Sequence, residues 1–261
     1  MNGLTKIFNK GTADEKCAIN ELSLQIKSGD FITVIGSNGA GKTTLLNLIS
    51  GTYFPDKGAI FIDGNDVTRI PEYKRASYIG RIFQDPLRGT AASMSIEENL
   101  AMAEKRGQKR GLKWGVTKAK RERYRDILSV LELGLEDRLK DPAGLLSGGQ
   151  RQTLTLLMVT LSIPKLLLLD EHTAALDPKT AHKVLLLSNQ MVEENNLTAI
   201  MVTHNMQQAI EYGNRMIMLH EGQVRFDVSG EKKKNLTVEM LVKSFGDVLN
   251  DETLLTATKA D

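Results

Sequence analysis

Residues 36–43 read GSNGAGKT, a combination of residue types that can bind phosphate groups. The small residues let backbone N–H groups close around phosphate oxygens, and a helix that follows the segment offers its positive end to the same anion. Lys42 can bring a positive charge to the β- and γ-phosphates of a nucleotide, and the hydroxyl of Thr43 can bind Mg²⁺. The candidate phosphate-binding residues are Gly36, Ser37, Asn38, Gly39, Ala40, Gly41, Lys42, Thr43 and Thr44.

The elements on either side of this loop support the same interpretation. Phe31–Ile35 is a short apolar run rich in β-branched residues, which predicts a buried strand. Lys42–Ser50 has apolar residues on one helical face. A G-x-x-x-x-G-K-[ST] loop between a buried strand and a helix predicts a P-loop, and the alternative is a glycine-rich turn that ends a strand. The P-loop leaves several classes of nucleotide-binding enzyme open, although the lack of an N-K-x-D segment argues against a GTPase.

Two later segments carry groups that suit the same chemistry. Residues 146–150 read LSGGQ, which predicts the start of a helix, and a helix N-terminus with a serine can bind an anion. Residues 166–171 read LLLLDE, which predicts a buried strand that ends in two acids. Carboxylates at the end of a buried strand can bind Mg²⁺ or accept a proton from water. The alternative is an apolar strand whose terminal acids face solvent.

The chain resembles the ABC (ATP-binding cassette) ATPase family in these segments. Residues 146–150 are similar to that family's signature motif, and residues 166–171 are similar to its Walker B strand. The resemblance covers residues 4 to about 230. His172 departs from it, because the family usually has a proline after the catalytic glutamate. We expect this change to alter the stiffness of the loop and to remove no catalytic group.

The resemblance implies further site residues. Gln84 resembles the Q-loop glutamine that contacts Mg²⁺ and the γ-phosphate, and Asp177 lies in a segment similar to the D-loop. His204 resembles the switch histidine that binds the γ-phosphate, with a structural histidine beside a helix as the alternative. Phe8 resembles the aromatic residue that stacks on adenine, with an ordinary core phenylalanine as the alternative. The resemblance thus implies catalysis by Lys42, Gln84, Glu171 and His204, Mg²⁺ binding by Thr43, Gln84 and Asp170, and ATP binding by Phe8, residues 36–44, Ser147, Gly148, Gly149, Gln150 and Asp177.

Composition excludes several other classes of protein. The 261 residues are 41% hydrophobic and 25% charged, which suffices for a sizeable core and excludes disorder as the dominant state. The net charge of +2 gives no general attraction to nucleic acid. The single cysteine, Cys17, excludes a scaffold of internal disulfides. Residues 1–11 lack the apolar region of a signal peptide, and the apolar stretch 154–169 is shorter than the roughly 20 residues that span a membrane.

The order of predicted elements indicates an α/β fold with a mostly parallel sheet. The resemblance implies a P-loop NTPase core with an antiparallel β subdomain and a helical insertion. We expect one ABC ATPase domain over residues 1–230, a helical subdomain at about 85–162 and a short C-terminal tail over 231–261. Strands are predicted at 18–26, 31–35, 59–62, 77–83, 166–169, 198–203, 215–219 and 224–228, and helices at 42–50, 95–99 (a helix start capped by Ser95 and Glu98), 117–133, 147–161, 179–194, 205–212 and, as an amphipathic stretch, 238–245.

The resemblance also implies partners. In the family, the signature motif of one subunit faces the P-loop of another, so we expect a dimer of two copies with ATP at the interface. The chain resembles bacterial importer ATPases, some assigned to amino acids such as tryptophan. They act at the cytoplasmic face of the cell membrane with separate permease subunits and, indirectly, a substrate-binding protein. Residues 87–99, with Met94 and Ile96, are the expected contact with the permease, and the alternative is packing inside the insertion.

A different function within the same family is an ATPase that acts on nucleic acid or ribosomes. Residues 103–126 hold ten basic and three acidic residues, which could bind phosphates or could be a solvated helical face or one attracted to anionic lipids. The chain lacks the second cassette and the long coiled coil that such proteins usually carry, so we expect no direct contact with nucleic acid. A scaffold that binds nucleotide without hydrolysing it is disfavoured by Lys42, Asp170, Glu171 and His204.

Overall fold

The computed structural model describes residues 1–108, 115–243 and 246. Its strands are β1 (Asn2–Phe8), β2 (Lys16–Leu22), β3 (Phe31–Gly36), β4 (Lys57–Ala59), β5 (Phe61–Ile62), β6 (Asn65–Asp66), β7 (Ile79–Ile82), β8 (Leu166–Asp170), β9 (Ala199–Val202), β10 (Arg215–His220) and β11 (Gln223–Ser229). Its helices are α1 (Lys42–Ser50), α2 (Glu72–Arg75), α3 (Ile96–Glu104), α4 (Lys118–Ser129), α5 (Gly148–Thr160), α6 (Pro178–Glu194), α7 (Met206–Glu211) and α8 (Glu231–Lys234).

The central sheet has six strands in the order β11-β10-β3-β9-β8-β7. All neighbours in it are parallel except β10 and β11. Every residue of β8 and β9 is buried, as expected for parallel strands covered on both faces. Because parallel strands end at one edge of a sheet, the segments that follow β3, β8 and β9 leave from that common edge.

Helices cover both faces of this sheet and create two hydrophobic clusters. On one face, α1 places Leu45, Leu46 and Ile49 against Ile32 and Val34 of β3. On the other face, α6 places Leu185 and Val192 against Leu167 and Leu169 of β8. This three-layer arrangement confirms the predicted α/β fold. Within the described residues, no helix combines the length and the apolar character that crossing a membrane requires.

A separate antiparallel sheet, in the order β2-β1-β4, packs near the N-terminus. The sequence analysis missed β1, whose pairing with β2 and β4 contains register shifts. The strand predicted at 18–26 lies instead at Lys16–Leu22. The single strand predicted at 59–62 was wrong, because Lys57–Ala59 pairs with β1 whereas Phe61–Ile62 pairs with β6. The break between β4 and β5 arises because these neighbouring segments pair with different strands, β4 with the distant β1 and β5 with the adjacent β6.

Helices α3, α4 and α5 enclose a hydrophobic cluster of their own, built around Ile96, Leu100, Tyr124, Leu128 and Leu154. The predicted capping box at the start of α3 is confirmed, because the Ser95 side chain accepts from the N–H of Glu98 and the Glu98 side chain accepts from that of Ser95. The helix predicted at 117–133 already ends at Ser129, and Glu132 and Gly134 then adopt positive φ angles of 51° and 68°.

Ile96 is fully buried in this cluster, so its expected role as an apolar contact with a permease was wrong and the packing alternative holds. Leu87, in a short 3₁₀ helix at Pro86–Gly89, is 63% exposed and remains available at this surface. The predicted amphipathic stretch 238–245 extends to residues 244 and 245, which lie outside the described residues, as does most of the predicted tail.

Candidate functional site

The loop between β3 and α1 is shaped by backbone conformations that suit glycine. Gly41 has a φ angle of 97°, and a Cβ atom there would lie 2.4 Å from the carbonyl oxygen of Ala18. At Gly36, with a φ angle of 156°, a Cβ atom would lie 2.3 Å from the carbonyl oxygen of Leu219. The chain therefore passes too close to its neighbours for side chains here. This leaves a backbone-lined loop directly before the first turn of α1, a geometry that favours anions.

Lys42 begins α1 and bends back over this loop. Its Nζ donates to the carbonyl oxygens of Gly36 at 2.8 Å and of Ser37 at 2.9 Å. Burial lowers the pKa of Lys42, while the negative charges of Glu171 and Asp170 oppose that shift. The loop thus holds a partly desolvated ammonium group beside two carboxylates, where a polyphosphate could replace the carbonyl contacts.

Glu171 and His204 come together from the ends of two neighbouring strands. Glu171 follows β8, has a φ angle of 47°, and donates its backbone N–H to the carbonyl of Val202 in β9 at 3.1 Å. Its Oε1 lies 2.5 Å from Nε2 of His204, which follows β9. The Glu171 side chain is 11% exposed and that of His204 is 48% exposed. A positive φ in a residue other than glycine is a strained conformation, which is commonly found at functional sites.

A cleft of about 310 Å³ joins these groups. Phe8, at the end of β1, is paired in register with Lys16 of β2, and both residues line the cleft. Its described lining consists of Phe8, Lys16, Ala18, residues 38–44, Glu171 and His204. An aromatic ring, a glycine-rich loop with its lysine, and a carboxylate–histidine pair match the parts of a nucleoside triphosphate and its attacking water. The residues present therefore fit this ligand.

The other two predicted metal ligands, Asp170 and Gln84, are not part of the described lining of this cleft. Oδ2 of Asp170 forms a partly buried ion pair with Nη2 of Arg81 at 2.9 Å. Gln84 is exposed and follows the end of β7, which pairs with β8 so that Ile82 is opposite Leu169. The sequence analysis missed Arg81, although a charged residue inside the apolar strand Ile79–Ile82 was a usable clue.

The predicted signature residues form the N-terminus of α5. The Ser147 side chain accepts from the N–H of Gln150, and the Gln150 side chain accepts from the N–H of Ser147. A Cβ atom at Gly149 would lie 2.1 Å from Cγ2 of Thr180 in α6. Asp177 caps α6 by accepting from the N–H of Thr180, and hydrogen bonds from Thr180 lower the pKa of Asp177. The structure therefore joins the two motifs to each other, outside the described lining of the cleft.

His172 is buried, and burial lowers its pKa to about 4. Ser188 donates its hydroxyl hydrogen to the carbonyl of Val184 at 2.7 Å, so Nε2 of His172 must donate to Oγ of Ser188 at 3.0 Å. The carbonyl of His172 accepts from Nε2 of Gln152 at 2.7 Å. Hydrogen bonds thus restrain the segment after Glu171, where the family usually has a proline.

A P-loop, a carboxylate–histidine pair on adjacent parallel strands and a separate helical core define an ATP-binding cassette. Residues 19–174 match the family model described as "ABC transporter". The chain belongs to this family and is an ATPase of the ABC transporter type, which confirms the predicted family, fold class and enzyme class.

Two curated relatives illustrate the similarity. A tyrosine transport ATP-binding protein of Clostridioides difficile is 44% identical over 245 residues, which are 94% of this chain and 97% of that protein. The methionine import ATP-binding protein MetN of Corynebacterium efficiens is 33% identical over 230 residues, and the match spans 86% of this chain and 60% of MetN. Both are named as ATP-binding proteins of transport systems.

A solved dimeric ATP-binding cassette in a post-hydrolysis state, bound to ADP and Pi, is 29% identical to the chain. Its TM-score is 0.73, and the match covers 87% of this chain and 97% of that structure. The fold of the chain is therefore one that binds nucleotide in a solved relative.

Proposed function

We propose that this chain is the ATP-binding and ATP-hydrolysing subunit of an importer for amino acids, with an aromatic amino acid such as tyrosine or tryptophan as cargo. The contact between Glu171 and His204 at the edge of the P-loop cleft is the observation that carries the catalytic part. The names of the tyrosine and methionine transport relatives support the importer part. The chain acts at the cytoplasmic face of the membrane through separate permease subunits and, indirectly, a substrate-binding protein.

In this proposal the cleft binds ATP along its length. Phe8 stacks on the adenine, and backbone N–H groups of residues 36–44 surround the phosphates. Lys42 exchanges its two carbonyl partners for the β- and γ-phosphates. Thr43, Gln84 and Asp170 hold Mg²⁺, which when bound neutralises phosphate charge.

Hydrolysis follows from the position of Glu171. Its carboxylate accepts a proton from a water molecule whose oxygen attacks the γ-phosphorus. The bond between that phosphorus and the β–γ bridging oxygen breaks, which leaves ADP and inorganic phosphate. His204 holds the Glu171 carboxylate and hydrogen-bonds the γ-phosphate, while Lys42 offsets the negative charge.

A second copy of the chain completes each site in this proposal. Ser147, Gly148, Gly149, Gln150 and Asp177 lie outside the described lining of the cleft that contains Lys42. Ser147, Gly148 and Asp177 among them are exposed, so they are available to contact ATP that is bound to the other copy. ATP then bridges two copies, and hydrolysis loosens them, because the γ-phosphate binds the closed dimer better than the open one.

The contacts of the basic segment, residues 103–126, weaken the alternative of an ATPase that acts on nucleic acid. Lys120 and Arg123 form ion pairs with Glu104, and Arg121 pairs with Glu97, each at 2.5 Å. These contacts connect α4 to α3, so these three charges stabilise the helical subdomain. Lys109, Arg110 and Lys113 lie outside the described residues.

Two experiments test the proposed function. First, Glu171→Gln is expected to bind ATP without hydrolysing it and to form a dimer in light scattering when ATP is added. Glu132→Gln, at an exposed residue with a similar φ angle of 51°, serves as the control. A strictly monomeric, ATP-bound Glu171→Gln protein would contradict the dimer.

Second, cells that lack the chain are expected to lose uptake of labelled tyrosine or tryptophan, and to regain it with the wild-type chain but not with Glu171→Gln. Purification from native membranes in detergent is expected to retain a permease. Recovery of ribosomal proteins or nucleic acid in its place would contradict transport.

A further inference from the structure

Arg81 is a charged residue of β7 whose side chain is only 9% exposed, and it contacts β8, α1 and the segment that directly follows β7. Its Nη2 pairs with Oδ2 of Asp170 at 2.9 Å, at the end of β8. Its Nη1 donates to Oδ1 of Asn47 at 2.7 Å and lies 3.3 Å from Oγ of Ser50, both in α1. Its guanidinium carbon lies 4.7 Å from the centre of the Phe83 ring. The side chains of Arg81 and Asp170 are 9% and 10% exposed.

These three elements carry the three predicted ligands of Mg²⁺. Thr43 is one helical turn before Asn47 in α1, Asp170 ends β8, and Gln84 directly follows Phe83. Parallel pairing places Arg81 opposite Leu168, so Arg81 and Asp170 project from the same face of the sheet. One guanidinium therefore spans the space between the elements that must hold the metal.

We infer that Arg81 is a positioning residue that sets the mutual geometry of Thr43, Gln84 and Asp170 for Mg²⁺; this inference rests on the proposed ATP-binding function. Mg²⁺ requires nearly ideal octahedral geometry, so small displacements of its ligands reduce its affinity. The planar guanidinium holds its partners in fixed directions, and its ion pair uses Oδ2 of Asp170, so Oδ1 would be the oxygen that Asp170 offers to the metal site.

Charge alone would give the opposite expectation. A positive guanidinium beside a metal site repels the metal, so its removal would strengthen binding if Arg81 acted only as a charge. Removal also releases the Asp170 carboxylate and the connection to α1. Loss of a group that orients a metal ligand typically lowers metal affinity by about 10- to 100-fold, so we expect the geometric effect to dominate.

The test measures metal binding without turnover. Mn²⁺ serves as the probe, and its free concentration is measured by electron paramagnetic resonance with saturating ADP. Arg81→Met is expected to raise the Mn²⁺ dissociation constant about tenfold. Its affinity for ADP in EDTA, measured by calorimetry, is expected to stay within about twofold of wild type, because Arg81 is not part of the described lining of the cleft. Arg81→Lys keeps the charge but not the planar guanidinium, so its Mn²⁺ dissociation constant is expected to lie between those of wild type and Arg81→Met.

Arg75→Met is the matched control. Like Arg81, Arg75 is attached to α1, and it is fully buried; it donates to the carbonyls of Leu48 and Ile49 at 2.8 and 2.7 Å. Its loss should lower the melting temperature without changing the Mn²⁺ constant. Asn47→Ala, which removes one support of Arg81, should raise the Mn²⁺ constant by a smaller factor than Arg81→Met.

Three results would overturn the inference: an unchanged or lower Mn²⁺ constant in Arg81→Met, an equal loss of ADP affinity in EDTA, or an equal rise in the Mn²⁺ constant of Arg75→Met. If Arg81→Met does not fold, Arg81→Lys and Asn47→Ala decide the question by the same measurement. Wild-type protein that binds no ADP would instead contradict the proposed function, so the two failures are distinguishable.

Discussion

Nε2 of His204 contacts Oε1 of Glu171 at 2.5 Å. Glu171 directly follows the end of β8, and His204 lies two residues after the end of β9. The strands β8 and β9 are paired with Asp170 opposite Val202. Two side chains from adjacent strands therefore meet at one point of the sheet edge, beside the P-loop cleft. The carboxylate that would accept a proton is held by the histidine that would contact phosphate.

Replacement of His204 by alanine is expected to lower the kcat of ATP hydrolysis about 100-fold, because the transition state loses a hydrogen-bond donor and Glu171 loses its support. His204→Gln, which can still donate a hydrogen bond, should recover part of the rate. Steady-state phosphate release measures both. His182→Ala, at an exposed histidine of α6, should retain the wild-type rate. An equal loss in both alanine variants would argue against a role for His204.

Substitution of Phe8 tests whether its ring contacts the nucleotide or only packs in the core. Its ring makes an edge contact with that of Tyr53, at 5.4 Å between centroids, and it also lines the cleft. Phe8→Ala is expected to weaken ATP binding about tenfold, since loss of stacking on one base costs about 1–3 kcal/mol. Phe8→Tyr should retain the affinity, and Phe61→Ala, at a residue outside the lining, is the control. Lower thermal stability at unchanged affinity would favour the core alternative.

Gly41→Ala tests how closely the backbone packs around the P-loop. The added Cβ atom would lie 2.4 Å from the carbonyl oxygen of Ala18 and would also force a φ angle of 97° on alanine. We expect the free energy of unfolding to fall by about 3 kcal/mol and ATP binding to be lost. Gly64→Ala is the control for backbone strain alone: φ is 76° and no atom lies within 4 Å, so a loss of about 1 kcal/mol is expected. Urea denaturation curves would contradict the argument if both variants lost equal stability.

The lowered pKa of Lys233 predicts that the stability of the protein depends on pH. It is 3% exposed, its Nζ donates to the carbonyls of Ile210, Tyr212 and Gly213, and burial lowers its pKa from 10.5 to about 8. Between pH 8 and 10.5 the unfolded chain binds this proton more tightly than the folded chain, so stability rises with pH in that window. The gain should approach about 3 kcal/mol above pH 10.5 and be lost as the pH falls through 8.

The measurement compares wild type with Lys233→Met, since other lysines and tyrosines titrate over the same range. The difference between the two unfolding free energies should change with pH as calculated for a single group. Parallel curves would show that burial does not perturb this lysine. The result also reports on how α8 is fixed to the loop that follows α7.

The local motifs were predictable from sequence, whereas contacts between distant segments were not. The P-loop and the capping box at the start of α3 depend on residues within a few positions of each other, so their types and spacing suffice. The proposed role of Arg81 depends on its contacts with Asp170 on β8 and Asn47 on α1, which only the folded arrangement brings together. The pairing of β1 with β4 joins Thr5 to Lys57, and nothing local in either segment encodes it.

The site residues show the same difference between what the sequence predicts and what only the fold reveals. The roles of Glu171 and His204 were inferred from the family resemblance, and the structure adds that they touch each other. His172 was expected to change the stiffness of its loop. The sequence did not reveal that Ser188, sixteen residues later, would receive its hydrogen bond, because that contact depends on how α6 packs over the sheet.

Thr180 touches both motifs that a second copy of the chain would meet. Its methyl group packs where a side chain on Gly149 would be, and its backbone N–H is bonded to Asp177. A displacement of α5 is therefore expected to move the start of α6 as well, because both contacts are already close. In the proposed dimer, Ser147 and Asp177 would therefore shift together when either helix moves, so a second copy would contact or lose both residues at once.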